Sequence, residues 1–171
     1  MKNKEYYERA AEILRYEPET GRLIRRVKTQ GRGKIGDEAG TINNTGYRRI
    51  RVTVNGKTKA FLTHRIIWFI HNGDLPEFLD HRDGDRLNNR IKNLRPATRL
   101  ENNRNSRNRK NSTSHYLGVY LNKRLHKWCA GIGINGESKH LGVFTDEEEA
   151  AKFYDAAAKA HFGEFANLNF K

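Results

Sequence analysis

Apolar residues along this 171-residue chain come in short bursts whose period switches between helical and alternating. Residues 4–15 carry Tyr6, Tyr7, Ala10, Ala11, Ile13 and Leu14 at helical spacing and predict a first helix. Pro18 and Gly21 then turn the chain into a strand over 22–27, and 28–45 are polar and loop-like. From 47 to 54 the alternation is regular. It puts Tyr47, Arg49, Arg51 and Thr53 on one face and Ile50, Val52 and Val54 on the other. Asn55-Gly56 is hairpin-turn chemistry, so 57–63 is the returning strand. Thr63 is then expected to cap a helix ended by Asn72-Gly73, with Ile66, Ile67 and Ile70 as its buried stripe. Two short strands follow, one closing at Asp80-His81 and one at 93–95. Between them Asp83-Gly84-Asp85 is a turn without the spacing of a calcium loop. Thr98 is placed to cap a helix carrying Glu101, Asn102 and Asn103.

Residues 104–115 then break the pattern, with four cations, no acid and no apolar residue. This predicts a boundary: one domain over 1–105, a basic linker over 106–115 and a second domain over 116–171. In the second, 116–121, 127–134 and 139–144 are strand-like, with Asn135-Gly136 as a hairpin turn. Trp128, Ala130, Ile132 and Ile134 share a core face, and Cys129, Gly131 and Gly133 share a nearly bare one. Thr145-Asp-Glu-Glu148 is a capping box, Ala150, Phe153, Tyr154, Ala157 and Ala158 form the expected stripe, and Gly163 ends the helix. The fold class is α+β.

Charge narrows the function. Thirty-three Lys+Arg against twenty Asp+Glu leave +13, which on a chain this rich in aromatics points to a polyanion, with nucleic acid first. No long apolar run, basic amphipathic helix or signal peptide favours a membrane, so a cytoplasmic protein is expected. The single cysteine, Cys129, excludes an intramolecular disulfide and a cysteine-based zinc cluster. Any metal then sits on oxygen or histidine.

The richest chemistry lies between Asp80 and Asn102, a run dense in Asn and Arg. Cutting a phosphodiester needs an activated water, charge relief on the phosphate and stabilisation of the departing alkoxide. One divalent ion and one base provide all three. His81 is the candidate base, since free histidine titrates near neutrality. Asp80 and Asn102 offer hard oxygen donors suited to Mg2+, and Asn93 would order the loop or orient the imidazole. Adjacent strand residues point to opposite faces, so Asp80 and His81 share a site only if the strand ends or twists there. His64 and His71, at the ends of a helix, are expected to be structural. Arg49 and Arg51 are candidate phosphate contacts, as are Arg104, Arg107, Arg109 and Lys110 in the linker.

The run from Leu79 to Arg95 with Asn102 beyond, together with Pro18-Glu-Thr-Gly21, Gly46-Tyr47 and His64-Arg65, resembles the HNH endonucleases of phage and intron origin. The resemblance covers roughly 14–105. It implies a ββα-metal nuclease domain, here with extra antiparallel strands, in which His81 is the general base, Asp80 and Asn102 hold Mg2+ (or Mn2+), and Asn93 is the middle asparagine. Tyr116-Leu-Gly118-Val119, Trp128, Leu141-Gly142-Val-Phe144, Glu148-Glu-Ala-Ala151, Tyr154-Asp155-Ala-Ala157 and Ala166-Asn-Leu168-Asn169-Phe170 resemble a second family, the AP2 domains. That likeness implies a three-stranded sheet backed by one helix. Tyr120, Asn122 and His140 would lie on its DNA-reading face, and Lys123, Arg124 and Lys127 in or beside its first turn. Together they imply a metal-dependent homing-type endonuclease on double-stranded DNA. A monomer would nick, and double-strand cutting would take a second copy or a second binding event. The rival readings are a non-catalytic AP2-type regulator on an inactive HNH scaffold and an RNA-binding accessory protein.

Overall fold

A computed structural model describes residues 3–29, 33–99, 101 and 112–170, and the chain divides into two units, Met1–Thr98 and Arg99–Lys171. The first contains α1 (Lys4–Ile13), β1 (Leu14–Glu17), β2 (Arg22–Arg25), β3 (Thr41–Ile42), β4 (Arg48–Val54), β5 (Lys57–Leu62), α2 (Thr63–Asn72), β6 (Phe78–His81) and β7 (Leu94–Ala97). They form three antiparallel sheets, β1-β2, β3-β4-β5 and β6-β7.

The first helix stops two residues sooner than its apolar spacing predicts. Leu14 turns extended and pairs with Arg25, so strand pairing takes over at the boundary. Alternation on β4 is as expected: Ile50 and Val52 are buried, and Arg49, Arg51 and Thr53 face out. Asn55 and Gly56 both adopt positive φ, as a tight hairpin turn requires. Thr63 does not cap α2. The extended Leu62 does, Thr63 is the first helical residue, and its Oγ1 is buried without a partner. The stripe of α2 also shifts, because Phe69 joins Ile66 and Ile67 in the core while Ile70 is only partly buried. Tyr7 packs between Phe61, at 4.9 Å, and Phe69, at 5.5 Å, and so locks α1 onto β5 and α2.

The second unit holds β8 (Val119–Asn122), β9 (Lys127–Ile134), β10 (Glu137–Phe144) and α3 (Glu147–Phe162), with sheet order β10-β9-β8. β8 begins later than the apolar run suggests, because Leu117 is held outside the ladder. Its N–H donates to Asn169 Oδ1 (2.7 Å) and its carbonyl accepts from Asn169 Nδ2 (3.2 Å). The same asparagine amide donates to Asp155 on α3 (3.0 Å), so one side chain clasps strand entry, helix and C-terminal segment. The cap of α3 is Asp146, not Thr145. Its carboxylate accepts from Glu149 N–H at 2.8 Å, and an acidic first turn suits the helix dipole. The stripe of α3 differs from expectation at several positions, since Ala151 joins it, Tyr154 and Ala157 are only partly buried and Phe153 leaves it. Ala150, Ala151 and Ala158 are buried, whereas Phe153 is 50% exposed and lies against Phe144.

One sheet face packs on α3 through Val119, Ala130, Trp128 and Phe144. The opposite face carries Tyr120 beside its cross-strand partner Cys129, then Gly131 opposite His140 and Gly133 opposite Ser138. A Cβ on Gly133 would meet nothing within 4 Å. No helix among the described residues is long and apolar enough to cross a membrane.

Candidate active site

The β6-β7 hairpin sets Asp80 opposite Arg95 and His81 opposite Leu94. Asp80 and His81 are both buried, at 4% and 3% exposure. β6 ends at His81, where Gly84 N–H folds back onto the His81 carbonyl at 2.9 Å. Strand alternation sends the two side chains apart. Asp80 Oδ2 accepts from Arg95 Nε at 3.0 Å and Nη2 at 2.8 Å in a buried ion pair. His81 Nε2 lies 3.0 Å from Asn89 Oδ1.

The loop between the strands is built on Asp83. Its Oδ1 accepts from Asp85 N–H (2.8 Å) and Asn93 Nδ2 (2.9 Å), and its Oδ2 from Asn88 Nδ2 (2.6 Å). Burial works to raise the Asp83 pKa. The hydrogen bonds from Asn88, Asn93 and Asp85, with the charge of His81, outweigh it and hold the group below the ordinary carboxylate value. Asn93 also donates to the Asn88 carbonyl (2.8 Å) and accepts from Asp83 N–H (3.2 Å). It therefore stands as the loop's cross-brace, and the contact on the imidazole comes from Asn89.

Two further rings stand beside His81. His64, in the first turn of α2, meets it edge-on with centroids 4.9 Å apart, and Tyr47 lies 5.4 Å from His64 and 6.0 Å from His81. Burial first, then the charges of His81 and Arg65, lowers the His64 pKa to about 3, so the ring is neutral. Arg86 lies over Tyr47 at 4.9 Å and donates to the Thr45 carbonyl at 2.7 Å, which ties the loop to the 43–47 turn. Arg65 donates to the carbonyls of Pro76 and Glu77 and so fixes the approach to β6.

Of the residues singled out from sequence, Asp80, His81 and Asn93 come together here. Arg49 and Arg51 are exposed on the outer face of β4. Tyr120, Lys123, Arg124, Lys127 and His140 are exposed in the second unit, whereas Asn122 shapes its turn by accepting from the N–H groups of Arg124 and Leu125. Asn102, Arg104, Arg107, Arg109 and Lys110 lie outside the described residues. Sequence reasoning assigned no role to Asn89, read the arginines of this run, Arg86 and Arg95 among them, as positioning phosphate, and took His64 as structural; the structure instead pairs Arg95 with Asp80 and sets Arg86 over Tyr47. One signal was present for His64: it shares the buried helix face of Ile67, three residues on. Asn89 had only its place in an Asn-Asn pair.

Among the described residues no group of three His, Cys, Asp or Glu side chains is arranged to hold a metal. Asp80 is nonetheless a hard oxygen donor next to the histidine, a chemistry that fits a magnesium-like ion.

Residues 61–104 match the family model described as HNH endonuclease. Protein 3.8 of Escherichia phage T7 is 31% identical over 112 residues, covering 64% of this chain and 92% of the relative. An uncharacterised HNH endonuclease of Acanthamoeba polyphaga mimivirus is 36% identical over 110 residues, 62% of this chain and 56% of the relative. A prophage-derived HNH homing endonuclease of Bacillus subtilis is 31% identical over 118 residues and is again covered over 56% of its length. The chain thus spans about half of these last two. The solved HNH homing endonuclease I-HmuI, in a structure of DNA binding and cleavage, shares 31% identity at TM-score 0.41, covering 54% of this chain and 50% of that one. Hairpin, buried histidine and family match together define a phosphodiester hydrolase. Residues 61–104 form an HNH endonuclease domain.

Proposed function

We propose that this chain is a divalent-metal-dependent DNA endonuclease in which His81 is the general base and the second unit directs the cut. The observation that carries the reading is the buried contact of His81 Nε2 with Asn89 Oδ1. An amide oxygen only accepts, so Nε2 holds the proton and Nδ1 is the basic nitrogen. His81 then takes a proton from water at Nδ1 as that water attacks phosphorus, and Asn89 keeps the ring from turning. Asp80, braced by Arg95, would hold Mg2+ or Mn2+ together with Asn102. When bound, the ion relieves charge on the non-bridging oxygens and on the departing alkoxide.

The second unit is read as an AP2-like DNA-binding domain over 116–171, joined by a basic linker at 106–115 to the nuclease domain at 1–105. A three-stranded sheet backed by α3, with Tyr120, Lys127 and His140 exposed, supports that reading. One site cuts one strand, so a monomer nicks double-stranded DNA.

The test is conversion of supercoiled plasmid to nicked circle with magnesium or with chelator. His81→Ala is expected to cut at least about 100-fold more slowly while binding DNA as the parent does. Metal-dependent nicking by that variant at the parent rate would remove His81 from the mechanism.

A further inference from the structure

His64 has the position of a catalytic group and the bonding of none. It is 4% exposed, sits edge-on to His81 at 4.9 Å and is flanked by Tyr47. A neutral imidazole carries one N–H donor and one acceptor nitrogen, and burying either without a partner is costly. Neither His64 nitrogen makes a hydrogen bond to another described residue, although its neighbours in the site are bonded throughout. His71, at the far end of the same helix, is exposed and has Asn72 Oδ1 at 3.3 Å from its ring. Among the described residues, the unpartnered polar side-chain atoms that are fully enclosed are Arg25 Nε and Thr63 Oγ1. The His64 nitrogens are not among them, so what little of the ring is accessible includes its polar edge.

A purely structural ring in this place would be served better by phenylalanine or leucine, which fill the space and leave no orphan donor. An accessible N–H that makes no hydrogen bond to another described residue, held next to the general base, is instead poised for a group that arrives with the substrate. We propose that His64 is a second imidazole of the reacting centre, donating a ring N–H to a non-bridging oxygen of the phosphate being cut. The inference rests on the reading of His81 as base. Because burial keeps His64 uncharged, it does not repel the imidazolium that forms on His81. A donor that is fixed in advance and meets its partner as charge builds on the phosphate acts on the rate rather than on ground-state binding. α2 adds to the same side of the site, since its N-terminus carries no side-chain cap.

The experiment compares His64→Phe, which keeps a ring without a donor, with His64→Gln, which keeps a donor without a ring. Single-turnover nicking is measured at saturating protein, with DNA affinity and thermal midpoint alongside. The expectation is a ten- to hundredfold slower cut for the Phe variant, with affinity within about threefold and an unchanged or higher midpoint. The Gln variant should recover at least a third of the loss on a logarithmic scale. Cutting by the Phe variant within threefold of the parent overturns the proposal, as does a Gln variant equally slow. If the Phe variant does not fold, His64→Leu takes its place in the same comparison. Failure of the parent protein to nick at all would instead sink the nuclease mechanism, which keeps the two readings separable.

Discussion

A buried histidine whose charge is refused by its surroundings leaves a mark on stability as well as on chemistry. The folded His64 pKa of about 3 lies below the 6.5 of a free histidine, chiefly through burial, then through the charges of His81 and Arg65. Between those values the unfolded chain binds a proton that the folded chain does not. The stability tied to this residue is therefore complete above 6.5 and lost as pH falls toward 3. From pH 7 to pH 5 the first unit is expected to lose about 2 kcal/mol on this account. Chemical denaturation at both pH values checks it, because His64→Phe should remove most of that slope. A variant with the parent's slope would show that other groups carry the acid sensitivity. The neighbouring ion pair behaves differently, for Arg95 and Asp80 are both buried and each would be stranded by loss of the other.

Elements, more than residues, were legible in the chain. The Asn-Gly turns, the alternation of β4 and the strand ending at His81 follow from local chemistry, and local chemistry is what a sequence displays. Its errors fall where tertiary contacts decide. Thr145 and Asp146 are both fair caps, and the structure takes the second because it lies three residues before the Glu149 amide. Ala151 is buried and Phe153 half-exposed because α3 lies close on the sheet, a distance that periodicity alone does not set. The candidate site was legible as Asp80, His81 and Asn93, which the fold brings to one hairpin and its loop. Asn89 and His64 were not, since a loop and a helix bring them beside His81 only in the fold. One close approach yields a sharp expectation. Gly118 has φ +71°, and a Cβ there would overlap the Tyr154 ring and sit 2.8 Å from the Gly131 carbonyl. Gly118→Ala is expected to destabilise the second unit by about 2 kcal/mol or more, seen as a lower midpoint for its unfolding. An unchanged midpoint would mean that Tyr154 swings aside freely.

At the scale of the whole molecule the governing quantity is +13 of net charge. Binding to DNA should then weaken steeply with salt, by about 0.9 in logarithmic slope for each phosphate neutralised. Replacing Arg104, Arg107, Arg109 and Lys110 together with glutamine is expected to lower that slope by up to about 3.6, measured by titrating affinity against salt concentration. An unaltered slope would remove the basic run from the contact with DNA. The bare face of the second sheet has a different consequence. Gly133 has open space where a side chain would begin, and a Cβ on Gly131 would make only ordinary contacts, at 3.4 Å with the Lys139 carbonyl and 3.9 Å with Tyr120. New side chains can be written there without disturbing the strands beneath. If the address of the cut resides on this sheet, its vocabulary is open to rapid evolutionary change and to laboratory retargeting, while the candidate site around His81 is left as it stands.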